Sequence, residues 1–457
     1  MKVLMVSRYV QPGIKFSNSN VYRQAKSLQL DHGVEVEILT WPCRDGWQGS
    51  MPQPGSGMSI PPMQVEVEGL KFHVIDPFRE WNERVLRSQT WEEAVRFGAR
   101  ILDSMCPDIV HLQHWSGLWW MLEAAQRCGI PTVYSNHDWG IACLQTILVM
   151  GDNALCDGRV SYEKCAVCIW KGRGILGKAN EVVAQTAAGR SVVNAIYRTR
   201  LGFMLNRVGA VRMALGERVQ EHLARHRRVL GNLKAMFVPS EFARRFFVQC
   251  GVKNDRVQVL PWYHDPVSKC KIVVDQQPFT ITYVGRLSPE KGVHQIFEAF
   301  GRLTAVESIT LRIAGANTSS YAAGLMRKYE SRIGLHRVEW LGWSEIEPLF
   351  LSTDVSVVPS TWIDNTPLSL VESLSYSVPV VATKVPPIQE LVIEGQTGYL
   401  ADYNSVDSLA SAIRRAVMDR PRIRSGTLKF PRISTCREYT LALKNAYTEI
   451  AGQDRST

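Results

Sequence analysis

Short apolar runs rich in β-branched residues alternate with segments of helical periodicity along almost the whole chain. This alternation is typical of α/β proteins, because parallel strands are buried on both faces and need a crossover segment between them. The alternation of strands and helices is absent between Trp262 and Pro278, a stretch that also contains Pro266, and it resumes after this stretch. The sequence therefore predicts two doubly wound domains joined near this stretch.

The pattern also predicts the individual elements. Strands are expected at 2–7, 34–40, 71–76, 108–113, 132–136, 235–240, 257–261, 279–286, 309–315, 337–342, 354–360 and 378–383. Helices are expected at 20–30, 90–105, 118–128, 293–302, 321–333, 368–376, 406–418 and 439–450. The proline- and glycine-rich segment 42–62 is expected to be an irregular loop. The basic stretch 420–437 is expected to be irregular as well.

Composition excludes several classes of protein. Of the 457 residues, 45% are apolar and 21% are charged, as in ordinary soluble domains. No apolar run approaches the roughly 18 residues of a membrane span, and the N-terminus lacks the apolar core of a signal peptide. Ten cysteines in a chain of this length do not make a disulfide scaffold. We therefore expect a cytoplasmic protein.

Two cations follow the first strand of the second half. Arg286 comes directly after the strand ITYVG, and Lys291 follows within LSPEKG, where Ser288 and Pro289 are expected to open a helix with Lys291 in its first turn. In open α/β sheets, ligands bind beyond the carboxyl ends of the strands. The two side chains can therefore converge on one anion, although a surface ion pair is the better interpretation of either cation taken alone.

A predicted helix start supplies a second anion site. In STWIDNTPLSLVESL, Thr366 is expected to cap the helix and Pro367 to occupy its first position. The backbone N–H groups of the next three residues would then be available to a phosphate. These residues are Leu368, Ser369 and Leu370. Asp364 before the helix and Glu372 within it could both face one polar ligand.

Taken together, these segments resemble a known family. GRLSPEKG resembles the GRL-x-x-x-KG motif of the retaining glycosyltransferases of family four, which have the GT-B fold. DNTPLSLVESLSYSVPVVAT resembles their carboxylate-x7-Glu signature, and IEGQTGYL resembles a conserved turn. The resemblance implies that Arg286 and Lys291 bind the donor diphosphate, that Glu372 holds the nucleotide ribose, and that Asp364, where the family usually has Glu, contacts the transferred sugar.

The resemblance extends to the first half. PDIVHLQHWSGL and GIPTVYSNHDW resemble the family's strand exits, and the second of these places His137 beside the transferred sugar and its phosphate. His111 and His114 are weaker candidates, one of which is expected to pack in the core. The first βα loop departs from the family, because a single glycine, Gly13, and the cation Lys15 stand where a Gly-Gly pair usually meets the donor phosphates.

Two features bear on metals. No two aspartates are two residues apart, so the metal-binding Asp-x-Asp motif of some transferases is absent from the sequence. We therefore expect transfer without a catalytic metal or any other required cofactor. Four cysteines have a spacing compatible with a structural zinc ion, with four unlinked thiols as the alternative. They are Cys143, Cys156, Cys165 and Cys168.

The formal net charge of +10 is concentrated in the first half. Nine arginines lie between Arg190 and Arg228, against Glu217 and Glu221, and apolar residues are interleaved with them. This pattern fits an amphipathic segment on an anionic membrane better than a nucleic-acid-binding surface, and a solvated helical face is the alternative. We expect no nucleic-acid partner, and we expect peripheral attachment to the inner face of the plasma membrane.

The sequence thus predicts a GT-B glycosyltransferase with two Rossmann-like domains facing across a cleft. An acceptor-side domain would span 1–262, with a cysteine-bearing insertion at about 140–175 and a basic helical region at about 187–232, and a C-terminal helix at about 438–457 would complete it. A nucleotide-sugar-binding domain would span 263–437. The expected reaction is retaining transfer from a UDP- or GDP-sugar to a saccharide or lipid-linked acceptor in bacterial surface polysaccharide synthesis. A protein that binds without transferring, and another GT-B enzyme such as a sugar-nucleotide epimerase, are the alternatives.

Overall fold

The computed structural model describes most of the chain. The described residues are 1–7, 10, 20–40, 62–75, 88–114, 118–143, 147–150, 154–159, 164–165, 168, 209–265, 278–303, 309–316, 319–342 and 344–454. They form two compact units, each with its own sheet. The first unit comprises Met1–Val238, Ala243–Val259 and Thr440–Thr457, and the second comprises Pro239–Phe242 and Leu260–Tyr439.

The first unit contains an eight-stranded sheet. Its strands are β1 (Lys2–Val6), β2 (Glu35–Thr40), β3 (Met63–Val67), β4 (Leu70–Val74), β5 (Ile109–Leu112), β6 (Thr132–Ser135), β7 (Ala235–Val238) and β8 (Val257–Val259). Their order is β3-β4-β2-β1-β5-β6-β7-β8, and all neighbouring pairs are parallel except β3 with β4. The central strands are buried along their whole length, as expected for a parallel sheet covered on both faces.

Helices connect these strands. They are α1 (Asn20–His32), α2 (Ser88–Met105), α3 (Trp120–Arg127), α4 (Gly209–Gly231) and α5 (Glu241–Gln249). The last helix of the chain, named α13 below, runs from Cys436 to Asp454. Its Leu443, Tyr447 and Ile450 are buried, whereas Leu441 is 43% exposed.

The second unit contains a seven-stranded sheet. Its strands are β9 (Phe279–Val284), β10 (Ile309–Ala314), β11 (Arg332–Ile333), β12 (His336–Gly342), β13 (Val355–Val358), β14 (Val380–Thr383) and β15 (Gly398–Ala401). Their order is β11-β12-β10-β9-β13-β14-β15, and only β11 is antiparallel to its neighbour. The helices are α6 (Val293–Phe300), α7 (Ser320–Lys328), α8 (Ile346–Leu351), α9 (Leu368–Ser375), α10 (Pro386–Gln389), α11 (Val406–Met418) and α12 (Arg420–Arg424).

The prediction of two parallel-dominated α/β sheets is confirmed. Three local expectations differ from the structure. The helix expected at 321–333 ends at Lys328, and Arg332–Ile333 forms the edge strand β11. The stretch 420–437 begins with the short helix α12. Strand β3 was not predicted, because Glu66 interrupts its apolar residues, as is usual for an edge strand with one face in solvent. The loop 42–62 lies outside the described residues except for Pro62.

None of the helices in the described ranges has the length and apolar character needed to cross a bilayer.

Candidate functional site

In the second unit, the carboxyl end of β9 positions Arg286. The phenol of Tyr283 donates a hydrogen bond to the carbonyl oxygen of Arg286 (2.6 Å) and so fixes the backbone at the strand exit. Burial raises the pKa of Tyr283 well above its ordinary value, which keeps this donor protonated. The Arg286 side chain is 71% exposed, and its guanidinium lies 3.7 Å from the carboxylate of Glu290. A loosely held, solvated cation therefore stands at this end of the strand.

The next turn places Lys291 with little freedom. Pro289–Lys291 form a 3₁₀ turn, and Gly292 follows with φ of 71°. A Cβ atom on Gly292 would lie 1.8 Å from the carbonyl oxygen of Pro359, so only glycine fits. Lys291 was expected in the first turn of an α-helix; it is the last residue of the 3₁₀ turn that precedes α6.

Lys291 forms a close pair with Asp364. Its ammonium lies 2.5 Å from Oδ2 of Asp364, a residue that is only 5% exposed. The same oxygen accepts hydrogen bonds from Ser360 Oγ (3.1 Å) and Trp362 Nε1 (3.2 Å). The ammonium also lies 5.1 Å from the centre of the Trp362 ring. A buried carboxylate with three donors is well compensated, and this network holds Lys291 in one place.

Helix α9 begins one residue later than expected. Its N-cap is Pro367, with no side-chain capping bond, and Thr366 has a left-handed φ of 58°. The N–H of Leu370 donates to Pro367 O (3.0 Å). Contrary to the prediction, this N–H group is therefore not available to a ligand. Leu368 and Ser369 open the helix and precede this first bond, so the binding of an anion by their N–H groups stays a prediction.

Two further side chains belong to this region. Thr366, expected as the cap, is buried, and its hydroxyl has no hydrogen-bond partner. Glu372 lies in the second turn of α9 and is half-buried. The structure thus joins Lys291 and Asp364 in one contact, with the start of α9 four residues beyond the carboxylate. Neither Arg286 nor Glu372 is in that contact.

In the first unit, three histidines cluster at the carboxyl ends of β5 and β6. His137 follows β6 by two residues, and its Nε2 lies 2.8 Å from Oε1 of Gln113. The rings of His114 and His137 stack, with centroids 4.4 Å apart, and Ser7 Oγ lies 2.9 Å from Nδ1 of His114. His111, in β5, is fully buried.

All three imidazoles are kept neutral. Burial lowers the pKa of His111 and of His114 to about 3, and it lowers the pKa of His137 well below its ordinary value, with the two neighbouring histidines adding to the effect. His114 and His137 retain some solvent contact, whereas His111 has none. One of His111 and His114 was expected to pack in the core, and the full burial of His111 agrees with that expectation. Neutral rings can offer a hydrogen-bond acceptor to a hydroxyl group.

Sequence reasoning missed two partners in this cluster, Gln113 and Tyr447. The Tyr447 hydroxyl lies 2.5 Å from Nδ1 of His111, although the two residues are 336 positions apart. Only folding reveals such a pair. Gln113 stands two residues from His111 on the strand exit, so its proximity was visible in the sequence, although nothing in the pattern indicated its contact with His137. Gly13 and Lys15, the candidates in the first loop, lie outside the described residues.

The four candidate zinc ligands are not disulfide-bonded, and each is partly exposed. In the described parts of the chain, no group of three or more His, Cys, Asp or Glu side chains is placed to hold a metal ion. The zinc site at these four cysteines therefore stays a prediction. A fifth thiol was missed: burial raises the pKa of Cys250 to about 12, and nearby Cys165, Cys143 and Cys156 contribute to the rise.

Residues 190–208 of the basic segment lie outside the described residues. Two of its arginines have partners within the first unit. Arg225 is buried, pairs with Glu221 (3.0 Å) and lies 5.5 Å from the centre of the Trp91 ring. Arg228 lies 2.9 Å from Glu123. Both cations therefore have carboxylate partners within the first unit, and the Arg225 side chain is buried whereas that of Arg228 is 52% exposed.

Comparison with known proteins identifies the class. Residues 18–262 match the family described as glycosyl transferase 4-like domain, and residues 267–425 match glycosyl transferases group 1. The first match alone covers more than half of the chain. The chain belongs to the glycosyl transferase 4-like family, as the resemblance implied.

Curated relatives match over shorter stretches. A glycogen synthase of Mycobacterium tuberculosis is 34% identical over 148 residues, which is 32% of this chain and 35% of that protein. A lipopolysaccharide 1,2-N-acetylglucosaminetransferase of Salmonella typhimurium is 25% identical over 206 residues, 41% of this chain and 54% of that protein. The chain thus spans about a third to a half of the length of these relatives.

Solved structures match along the whole chain. Anabaena HepE in complex with UDP-glucose has a TM-score of 0.55 at 15% identity and covers 100% of both chains. Sucrose-phosphate synthase of Thermosynechococcus elongatus has a TM-score of 0.58 at 16% identity, covering 100% of this chain and 98% of the other. At these identities the likeness establishes the fold, which is the predicted two-domain, Rossmann-like GT-B fold.

Proposed function

We propose that the protein is a glycosyltransferase that moves a sugar from a UDP- or GDP-sugar to a saccharide or lipid-linked acceptor. The observation that carries this proposal is the buried Lys291–Asp364 pair, which is held by Ser360 and Trp362 and followed by the start of α9. A cation and a carboxylate fixed together suit a ligand that carries both phosphate and sugar hydroxyls. Family membership and the solved complex of HepE with UDP-glucose support the same class of donor.

The proposed chemistry places fixed positive charge at the leaving group. As the glycosidic bond breaks, negative charge builds on the nucleoside diphosphate. Lys291, Arg286 and the opening N–H groups of α9 would stabilise that charge. Each preorganised donor of this kind contributes roughly 10²–10³ in rate. Asp364 would accept hydrogen bonds from hydroxyls of the transferred sugar, and Glu372 from the ribose, as the family resemblance implies. No step in this scheme requires a metal.

A further candidate residue is His137 of the first unit. Its neutral ring would contact the transferred sugar, and its pKa, held well below the ordinary value, prevents protonation near pH 7. No side chain is an evident nucleophile, so we propose retention of configuration through attack on the same face as the departing phosphate. Surface polysaccharide synthesis is the proposed setting, supported by relatives named for lipopolysaccharide and diphosphoundecaprenol-linked acceptors.

A donor screen tests this function. A panel of UDP-, GDP- and ADP-sugars is examined for thermal stabilisation, since a ligand that binds only the folded state at 100 times its Kd adds about 2.7 kcal/mol. The stabilising sugar nucleotides are then incubated with lipid extracts and oligosaccharide acceptors. We expect stabilisation by one UDP- or GDP-sugar and acceptor-dependent release of its nucleotide.

Other outcomes separate the alternatives. Conversion of the sugar nucleotide without any acceptor would identify an epimerase. Tight binding with no turnover on any acceptor would identify a binding protein that keeps the fold. No stabilisation by any sugar nucleotide would contradict the proposal.

We further propose peripheral attachment to an anionic membrane through the basic segment. Each basic residue near such a surface contributes about 1 kcal/mol, so a few suffice for reversible binding. Because Arg225 and Arg228 have partners within the first unit, the proposal now rests on the earlier arginines of the segment.

A further inference from the structure

One aromatic side chain contacts both members of the Lys291–Asp364 pair. The indole N–H of Trp362 donates a hydrogen bond to Oδ2 of Asp364 (3.2 Å), and the ammonium of Lys291 lies over the indole ring, 5.1 Å from its centre. An ammonium within about 6 Å of the centre of an aromatic ring is attracted by the face of that ring. The edge of the indole therefore holds the carboxylate, and its face holds the cation.

The segment that carries Trp362 is tied to the 3₁₀ turn that carries Lys291. The backbone N–H of Thr361 donates to Glu290 O (2.9 Å), and its hydroxyl donates to Pro289 O (3.0 Å). Trp362 itself is only 7% exposed. An indole has only two side-chain torsions, and here both its edge and its face are engaged, so it is a rigid support for the two charged groups.

The hydrogen bonds of Asp364 show what happens when Lys291 binds elsewhere. Lys291, Ser360 and Trp362 all contact the same carboxylate oxygen, Oδ2. Taking one partner away from a buried carboxylate is strongly unfavourable when no other donor compensates the charge. When a diphosphate takes the ammonium of Lys291, the hydroxyl of Ser360 and the indole N–H of Trp362 are the two donors that remain on this oxygen.

We propose that Trp362 is a positioning residue of the donor site, which allows Lys291 to pass from Asp364 to a diphosphate while both charged groups stay in place. This inference rests on the proposed function, in which Lys291 binds the diphosphate and Asp364 contacts the sugar. The ring face keeps the ammonium at the site, and the N–H keeps the carboxylate oriented after Lys291 has moved. The two roles are separable, because phenylalanine retains a ring face and lacks the N–H.

Indole ¹H–¹⁵N NMR measures the hydrogen bond without any substrate. The Trp362 signal is assigned by its absence from the spectrum of Trp362→Phe. An ionised acceptor makes a stronger hydrogen bond than a neutral one, so Asp364→Asn should shift the indole proton of Trp362 upfield. The other tryptophan signals should stay nearly in place.

Isothermal titration with UDP and with GDP tests the ring face. For the nucleotide that binds the wild type, Trp362→Phe should have a Kd within about twofold of the wild-type value, because the cation keeps an aromatic face. Trp362→Leu should raise that Kd roughly fivefold, as expected for the loss of one partly buried cation–π contact.

Transfer kinetics test the N–H. Both variants lose the hydrogen bond to Asp364, so kcat should fall roughly tenfold in each, as expected for one bond to a charged group. The KM for the donor should stay near the wild-type value in Trp362→Phe and rise in Trp362→Leu. Phenylalanine should therefore rescue donor binding without rescuing turnover, a split that a merely structural role would not produce.

Trp340→Phe is the matched control. The indole N–H of Trp340 donates to Tyr329 O over the same distance of 3.2 Å, and its ring stacks on Phe297 in the same unit. This change should lower thermal stability while leaving the Kd, the kcat and the Trp362 signal unaltered.

Three results would each overturn the inference. They are an unmoved Trp362 signal in Asp364→Asn, an equal Kd in Trp362→Leu and the wild type, and equal losses of kcat in Trp362→Phe and Trp340→Phe. A wild type that binds neither UDP nor GDP would count against the proposed function instead. The NMR measurement needs no ligand, so it would still decide whether Trp362 holds Asp364.

Discussion

Buried neutral histidines should make the first unit sensitive to acid. His111 is fully buried in β5, and His222 is 2% exposed in α4, where its ring packs edge-on against Trp119. Burial lowers the pKa of each to about 3, whereas an unfolded chain has a histidine pKa of about 6.5. The folded state therefore binds fewer protons than the unfolded state between these two values.

The sign and size of the effect follow from proton linkage. Because the folded-state pKa is lowered, the full stability is present above about pH 6.5 and falls as the pH falls towards 3. Between neutral pH and pH 5, each histidine should lower the free energy of unfolding by about 2 kcal/mol, since one pKa unit corresponds to about 1.36 kcal/mol. Together the two should cost about 4 kcal/mol, against a typical total of about 5–15 kcal/mol.

Urea unfolding at pH 7.5, 6.0 and 5.0 measures this loss, with tryptophan fluorescence as the signal. His222→Leu should reduce the slope of the unfolding free energy against pH by up to one proton, or about 1.4 kcal/mol per pH unit. Gln220→Leu, an exposed change on the same helix, should leave the slope unchanged. A wild-type stability that is flat between pH 7.5 and 5.0, or an equal slope in His222→Leu, would refute the reasoning.

Three other predictions concern the second unit, the metal and the membrane. Gly292→Ala should unfold or distort the 3₁₀ turn, because its Cβ would lie 1.8 Å from a carbonyl oxygen; a circular dichroism melt checks this, and an unchanged melting temperature would contradict it. Transfer should continue in EDTA, and activity restored specifically by Mg²⁺ or Mn²⁺ would show that expectation to be wrong. The protein should sediment with anionic but not neutral liposomes at low salt and be released at high salt. Four changes to serine should abolish that sedimentation, and persistence of binding in the quadruple variant would exclude the basic segment. The changed residues are Arg198, Arg200, Arg207 and Arg212.

Sequence predicted the parts of the site that are encoded locally. Arg286 and Lys291 were found because a parallel strand, a proline turn and a glycine follow one another within a few residues. Asp364 was found in the same way, because it directly precedes an apolar helix. The alternation of apolar strands and helices likewise predicted both sheets, since each parallel strand is buried on both faces.

The parts that depend on tertiary contacts could not be predicted. Tyr447 reaches His111 from a helix 336 residues away, and no local pattern records that pairing. The left-handed backbone of Thr366 is another example, because threonine rarely adopts it and the usual rule made this residue a helix cap. The close contact of Lys291 with Asp364 spans 73 residues, so the sequence proposed both as ligands of a donor without joining them.

The central claim is that the Lys291–Asp364 pair is the donor-binding element of the second unit. Substitutions of its two members should therefore have opposite effects on the binding of a nucleoside diphosphate. Lys291 would bind the diphosphate, while the carboxylate of Asp364 now neutralises the same ammonium at 2.5 Å. Lys291→Met should therefore weaken the binding of a nucleoside diphosphate. Asp364→Asn keeps an oxygen for Ser360 and Trp362 but removes the competing charge, so it should bind the diphosphate at least as tightly while transferring sugar poorly.

Isothermal titration with UDP and with GDP measures this most directly, with Lys384→Met as the control for an exposed lysine that pairs with Asp402 (2.8 Å) in the same unit. For the nucleotide that binds the wild type, the account predicts a Kd at least tenfold higher in Lys291→Met, an equal or lower Kd in Asp364→Asn, and no change in Lys384→Met. Equal affinity of Lys291→Met and the wild type, or an equal loss in Lys291→Met and Lys384→Met, would contradict it.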